Sequence, residues 1–305
     1  MSSPLRSLHA VDALVIIFLI ILSIIILVFT QQSSEAVLMI GLNAAACVCL
    51  LLLAFWTETH RGSLLRFIHN WYPVLAIFLV FKEVYVIIQS DQRLDWDALF
   101  MTIDHTMFGV HPTQWLTQFS FPLLTEVLQI AYASYYFIML TVGIEVFLSK
   151  DHEKFSYVLF VVVYGFFLSY LGYIAFPAVG PRFTLHDFNA LDTELPGLFL
   201  TTPIRDFLNA GESIPEGAIN ALALAQRDAF PSGHTQMTLI SLYLAYKFHL
   251  RSRYVLYVFG TLLVISTVYL RYHYVIDVIG GGAFMVLTVW TAPKLLHFGN
   301  RLFTE

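Results

Sequence analysis

The chain has 305 residues, 58% of them hydrophobic and only 12% charged, which excludes an ordinary soluble domain. Its 16 Lys+Arg against 21 Asp+Glu leave a net charge of −5, the wrong sign for a protein that grips a phosphate backbone, so no nucleic-acid partner is expected. The two cysteines, Cys47 and Cys49, lie in one apolar run with a one-residue gap; they suit packing and not a disulfide framework or a zinc site.

Bilayer-length apolar runs follow one another along the chain: Val11 to Phe29, Ala36 to Trp56, Tyr72 to Gln89, Phe121 to Leu148, Phe155 to Phe176, His234 to Phe248, Tyr254 to Leu270 and Val275 to Leu296. They predict an all-α polytopic membrane protein of about eight helices. The first run lacks a small-x-small cleavage site and reads as a retained signal anchor. The coarse division is residues 1–120, amino-terminal helices plus an interfacial segment, and residues 121–305, a helical core with a long loop at 177–231. No internal repeat or low-complexity tract is evident.

Basic residues on alternate loops set the expected orientation. Arg6, Arg61, Arg66, Lys150, Lys154, Lys247, Arg251, Arg253, Lys294 and Arg301 fall on one side, and only Arg93, Arg182, Arg205, Arg227 and Arg271 on the other. The first side is expected in the cytoplasm and the second in the periplasm or lumen. The outward side carries Ser90 to Ser120, with Asp91, Asp95, Asp97 and Asp104, and the stretch Pro177 to Pro231. A solvated, non-catalytic face is the expected role of those aspartates. Pro196-Gly197, Thr202-Pro203 and Ile214-Pro215-Glu216-Gly217 punctuate the second stretch as turns and short interfacial helices.

The chemistry-bearing residues gather at the outward ends of the last four helices. Pro231-Ser232-Gly233-His234 reads as a helix start: Ser232 as N-cap, Gly233 allowing close backbone approach, and first-turn N–H groups offering an anion site that His234 can reach. A Ser-capped helix with an interfacial histidine also arises by chance. His273 and Asp277 stand four apart, so a carboxylate can hold one imidazole nitrogen protonated and leave the other as base or nucleophile. A purely structural hydrogen bond is the competing account. Arg271 and Arg182 are fork-shaped donors suited to phosphate oxygens, with snorkelling to lipid headgroups the alternative for Arg271. Two arginines, helix N–H groups and two histidines on one side point to phosphoryl chemistry. With no Walker loop or carboxylate cage in the sequence, a mechanism without metal or cofactor is expected.

These residues resemble the type 2 phosphatidic acid phosphatase superfamily of lipid phosphatases and phosphotransferases. Its second motif, PSGH, is Pro231 to His234, and its third ends in H-x-x-x-D, here His273 to Asp277; the resemblance runs from about Ser156 to Leu296. It implies that His273 is the nucleophile of a phosphohistidine intermediate, Asp277 its orienting partner, His234 the leaving-group acid and Arg182 the arginine of the first motif. Departures are plain: Ala175 stands where the first motif has lysine, the order is Pro181-Arg182, and Ser266-Thr267 stands where the third motif has Ser-Arg. Arg271-Tyr-His-Tyr-Val-Ile-Asp277, running on to Gly280-Gly-Gly282, and the segment Leu99 to Pro112 look more like the branch of inositolphosphotransferases and inositol phosphorylceramide synthases. That branch implies headgroup transfer from a membrane lipid phosphate or phospholipid to a polyol or lipid alcohol; hydrolysis of phosphatidic acid-like or isoprenoid phosphates by water is the alternative. A transporter or structural membrane protein accounts for the helices but not for the gathered histidines and arginines.

Other features carry plainer expectations. Lys82 and Glu83, midway along the third run, are expected to make buried polar contacts, and Gly280, Gly281 and Gly282 to allow close helix packing. Tyr132, Tyr135 and Tyr136 share a helix face that either packs or lines a lipid slot. His105 and His111 are assigned no role.

Overall fold

The computed structural model describes residues 8–29, 34–60, 62–90, 95–212, 214 and 220–304. Arg6, Arg61, Asp91, Arg93 and the turn at Pro215 to Gly217 lie outside them, as do Thr30 to Ser33 after the first run. Fifteen α-helices and no strand occur among the described residues. They are α1 (Ala10–Phe29), α2 (Ser34–His60), α3 (Ser63–Ser90), α4 (Asp97–Phe108), α5 (Pro112–Leu116), α6 (Pro122–Ala133), α7 (Tyr135–Leu148), α8 (His152–Ala175), α9 (Pro181–Thr184), α10 (Leu191–Glu194), α11 (Thr201–Gly211), α12 (Ala221–Leu224), α13 (Gly233–Lys247), α14 (Arg253–Tyr269) and α15 (Val275–Thr304).

Every apolar run is helical, and the protein is a polytopic membrane protein. Five helices, α1, α2, α3, α8 and α15, are long and apolar enough to cross a bilayer, and α6 with α7 make a sixth span bent by 44°. By length and composition, five of the expected eight runs qualify as spans on single helices and a sixth as the bent pair. At about 1.5 Å per residue, the 15 residues of α13 and 17 of α14 reach only about 22 and 26 Å, short of the roughly 30 Å hydrocarbon core. The bend falls at Ser134, whose hydroxyl turns back onto the Ala131 carbonyl at 2.6 Å. Helix α3 begins at Ser63, well before the apolar run does, because His69 and Asn70 are carried within the helix rather than in a loop.

The chain divides by its contacts into two units. The first comprises residues up to 93, 152–170 and 287–305; the second comprises residues 94–151 and 171–286. Helices α4 and α5 thus fall with the later helices, and most of α8 and the second half of α15 with the earlier ones. In the first unit, Phe18 stacks on Phe167 with centroids 4.1 Å apart, and the Tyr170 hydroxyl donates to the Ile77 carbonyl at 3.0 Å. Glu83 makes the polar contact expected of it, accepting from Asn43 Nδ2 at 2.6 Å, whereas Lys82 is exposed.

In the second unit, α13 and α14 pack on each other and on α6 and α7. Its aspartates correct the expectation of a solvated face. Asp97 and Asp104 are 4% and 1% exposed, and Asp95 pairs with Arg227 Nε at 2.8 Å. Segments that lack helix or sheet partners leave backbone N–H groups unpaired, and these carboxylates satisfy them. Asp97 accepts from Val179 N and Gly180 N, and Asp104 from Val275 N and Ile276 N, all within 3.0 Å. Glu126 does the same for α11, taking the N–H groups of Leu198, Phe199, Leu200 and Thr201.

Candidate active site

The site lies within the second unit and begins where α13 starts. Ser232 is the N-cap: its backbone is extended and its hydroxyl accepts from Thr235 N at 3.2 Å. Ser232 N donates to the Asp277 carbonyl at 2.9 Å, which ties the start of α13 to the first turn of α15. The two approach so closely that a Cβ on Gly281 would stand 2.6 Å from the Ser232 carbonyl, and one on Gly280 2.6 Å from the Phe230 ring. Gly282 faces open space, so only two of the three glycines serve the close packing expected of them.

His273 sits in the turn between α14 and α15, 5% exposed. Its Nδ1 lies 2.9 Å from the Ala229 carbonyl. A carbonyl can only accept, so Nδ1 carries the ring proton and Nε2 keeps its lone pair. Asp277 Oδ2 stands farther off, 3.5 Å from the same Nδ1, and its short bond is to Tyr274 N at 2.8 Å. This is the reach-back of a helix capping box, in which the third residue of α15 satisfies the N–H of the residue before it. The carboxylate thus holds the turn that presents His273, while the peptide before Phe230 fixes the tautomer. Burial chiefly drives the His273 pKa down to about 4, against the opposing charge of Asp228. Burial, then the neighbouring Glu212, raises the Asp228 carboxyl to about 6.

His234, in the first turn of α13, has its ring centroid 5.8 Å from that of His273. It lies on Tyr132 at 4.5 Å and against Tyr135 at 4.3 Å, tyrosines delivered from either side of the Ser134 bend. Tyr132 stacks in turn on Tyr272 at 4.2 Å, and the Arg182 guanidinium lies 4.7 Å from the Tyr272 ring. One aromatic column therefore links the arginine to the histidine, with a cation–π contact at its end. Tyr136 is 45% exposed and stands outside it.

Arg182 enters through a tight turn. Gly180 has φ +90° and no room for a Cβ, which would meet the Tyr272 carbonyl at 2.6 Å. Arg182 N donates to the Arg271 carbonyl at 3.0 Å. Its guanidinium pairs with Glu212 and donates to Asn209 Oδ1 at 3.4 Å, while Nε is buried with no partner among the described residues. Arg182 is also the arginine whose charge acts on both histidines. Arg271 is placed differently: fully buried, with φ +68°, it binds Glu194 and Thr117 Oγ1.

The structure thus brings together Arg182, Ser232, Gly233, His234, His273 and Asp277, and commits the side chain of Arg271 to Glu194. The sequence reading missed Asp228, Asn209, Glu212 and the Ala229 carbonyl. Asp228 was legible as an acid three residues before Pro231; the others carry no local signal.

A family model described as the PAP2 superfamily matches residues 100–291, well over half of the chain. The chain belongs to the PAP2 superfamily. This membership makes it a membrane protein of phosphatase or phosphotransferase type, and the matched region takes in every site residue named above. No curated protein and no solved structure matches the chain.

Proposed function

We propose that this PAP2 protein transfers a phosphoryl headgroup from a membrane lipid phosphate ester to an alcohol through a phosphohistidine on His273. The observation that carries the proposal is the fixed tautomer of His273, which leaves Nε2 basic within reach of a second imidazole and of a helix N-terminus. In the first half-reaction Nε2 attacks phosphorus as the bond to the leaving alcohol breaks, and His234 gives that alcohol its proton. Charge building on the equatorial oxygens is taken by Arg182 and by the N–H groups at the start of α13. In the second, an acceptor hydroxyl attacks the phosphohistidine, its proton returns to His234 and the P–N bond breaks. Arg271 serves by its carbonyl and backbone, which fix Arg182, rather than by its guanidinium.

Substrate phosphate has to replace Glu212 on the Arg182 fork, which the flanking Asn209 and the unpartnered Nε of Arg182 make feasible. We assign the headgroup-transfer branch on the stretch Arg271 to Gly282 and place the site on the side away from the cytoplasm, on the distribution of basic residues. The test is a rapid-quench trap with labelled lipid phosphate, in buffer with EDTA and then with an added polyol. An acid-labile, base-stable labelled protein, formed in chelator and discharged onto the polyol in preference to water, is expected. Discharge onto water alone would make the protein a lipid phosphatase. Loss of turnover in EDTA, restored by Mg²⁺, would sink the metal-independent scheme.

A further inference from the structure

We propose that His9, Asp12 and His69, in the first unit, form a binding site for a divalent cation of the zinc class, separate from the phosphoryl chemistry. Each offers one ligand atom, and the three atoms lie within 4.8 Å of one another. His69 Nε2 is already 3.0 Å from both Asp12 oxygens. Tetrahedral zinc, with bonds of about 2.0–2.2 Å, sets neighbouring ligand atoms about 3.3 Å apart, so this pair needs almost no movement.

His9 supplies the movement. It now stacks on His69, centroids 4.7 Å apart and nearly parallel, a pose in which one metal cannot lie in both ring planes. Being exposed, it can turn its ring toward Asp12, and its own backbone N–H is anchored there at 2.7 Å. Two imidazoles and a carboxylate leave a fourth position for water. The outer partner that metal-ligating carboxylates usually have is present: the Tyr72 hydroxyl donates to Asp12 Oδ1 at 2.7 Å, while Oδ2 accepts from His9 N at 2.7 Å and keeps its second lone pair for the metal. Asp12 is wholly buried, and its partners among the described residues are these histidines and Tyr72, so its charge is offset by no lysine or arginine there. His69 Nδ1 is likewise buried with no partner among the described residues, so its ring proton can move there when Nε2 takes the cation. The site would staple the start of α1 to the first turns of α3.

The test uses the full chain, purified without a histidine tag, stripped with chelator and titrated with Co²⁺. Expected are one Co²⁺ per chain with visible bands of tetrahedral intensity, proton release in weak buffer, and displacement by Zn²⁺. His9→Ala, at an exposed position that leaves folding intact, should abolish the bands. Tyr72→Phe should weaken binding about 10–100-fold, and His234→Ala should leave it unchanged. No saturable binding by the wild type, binding unaltered in His9→Ala, or bands lost in His234→Ala would each overturn the proposal.

Discussion

In the proposed mechanism His273 attacks only while Nε2 is unprotonated and His234 assists departure only while it carries a proton; the two demands separate the residues experimentally. His273→Ala should abolish the labelled phosphoenzyme with every substrate. His234→Ala should cost far more with a lipid alkoxide than with an activated phenyl ester, whose departure needs little protonation. Equal losses on both esters for both variants would mean that the roles are misassigned. Acidity gives a second handle. With a phosphodiester substrate, whose charge is constant over this range, Asp228 loses its repelling negative charge as pH falls through about 6, and His273 is protonated only near 4. The kcat/KM profile should therefore peak between those values. Asp228→Asn removes the repulsion at all pH, so the alkaline limb should leave pH 6 for the position set by loss of the His234 proton; a limb that stays near 6 would exclude Asp228 as its source. Glu212 bears on KM in the same sense. A hydrogen bond to a charged group is worth about 1.5–3 kcal/mol, so freeing the Arg182 fork in Glu212→Gln should lower KM about tenfold with kcat little changed.

Helix termini, more than helix middles, make this site, and they were read unevenly from the sequence. The start of α13 was legible because an N-cap is a local device: Ser232, Gly233 and His234 are adjacent, and the structure caps the helix with Ser232. Asp277 was legible by its spacing from His273, yet its tighter bond is to Tyr274 N, a distinction of less than 1 Å that no spacing encodes. Least legible was the support from α4. Asp97 and Asp104 are far from the motifs in sequence and look like surface acids, but they cap the Arg182 turn and the start of α15. Losing a cap of this kind costs about 1 kcal/mol, and Asp104 serves two N–H groups, so Asp104→Ala should cost about 1–2 kcal/mol in stability. Because the capped turn presents His273, kcat should fall as well, while Asp104→Asn, which keeps an acceptor, should recover most of both. A Tm unchanged in Asp104→Ala would show that the caps are not needed.

At the scale of the molecule, hydropathy revealed the long helices because burial in lipid demands long apolar runs, whereas composition does not fix where a helix starts, as the early start of α3 at Ser63 shows. Helices α13 and α14, of 15 and 17 residues, carry His234 in the first turn of one and His273 just past the end of the other, where the proposed chemistry needs lipid phosphate and water together. Which side those ends face is a question of charge rather than of fold. The loops that carry Arg66, Lys150, Lys154, Lys247, Arg251 and Arg253 alternate with those that carry Arg182, Arg205, Arg227 and Arg271, and the richer set stays in the cytoplasm when short loops decide the topology. Asn189 offers a clean reporter: it is exposed, just beyond the Arg182 turn, in the segment proposed to face outward. A single cysteine there, with Cys47 and Cys49 replaced, should react with a membrane-impermeant thiol reagent on intact cells, while a cysteine in place of Lys150 should react only after lysis. The reverse pattern would put the phosphohistidine chemistry on the cytoplasmic face, and the acceptor alcohol would then have to come from the cytosol rather than from the lumen or periplasm.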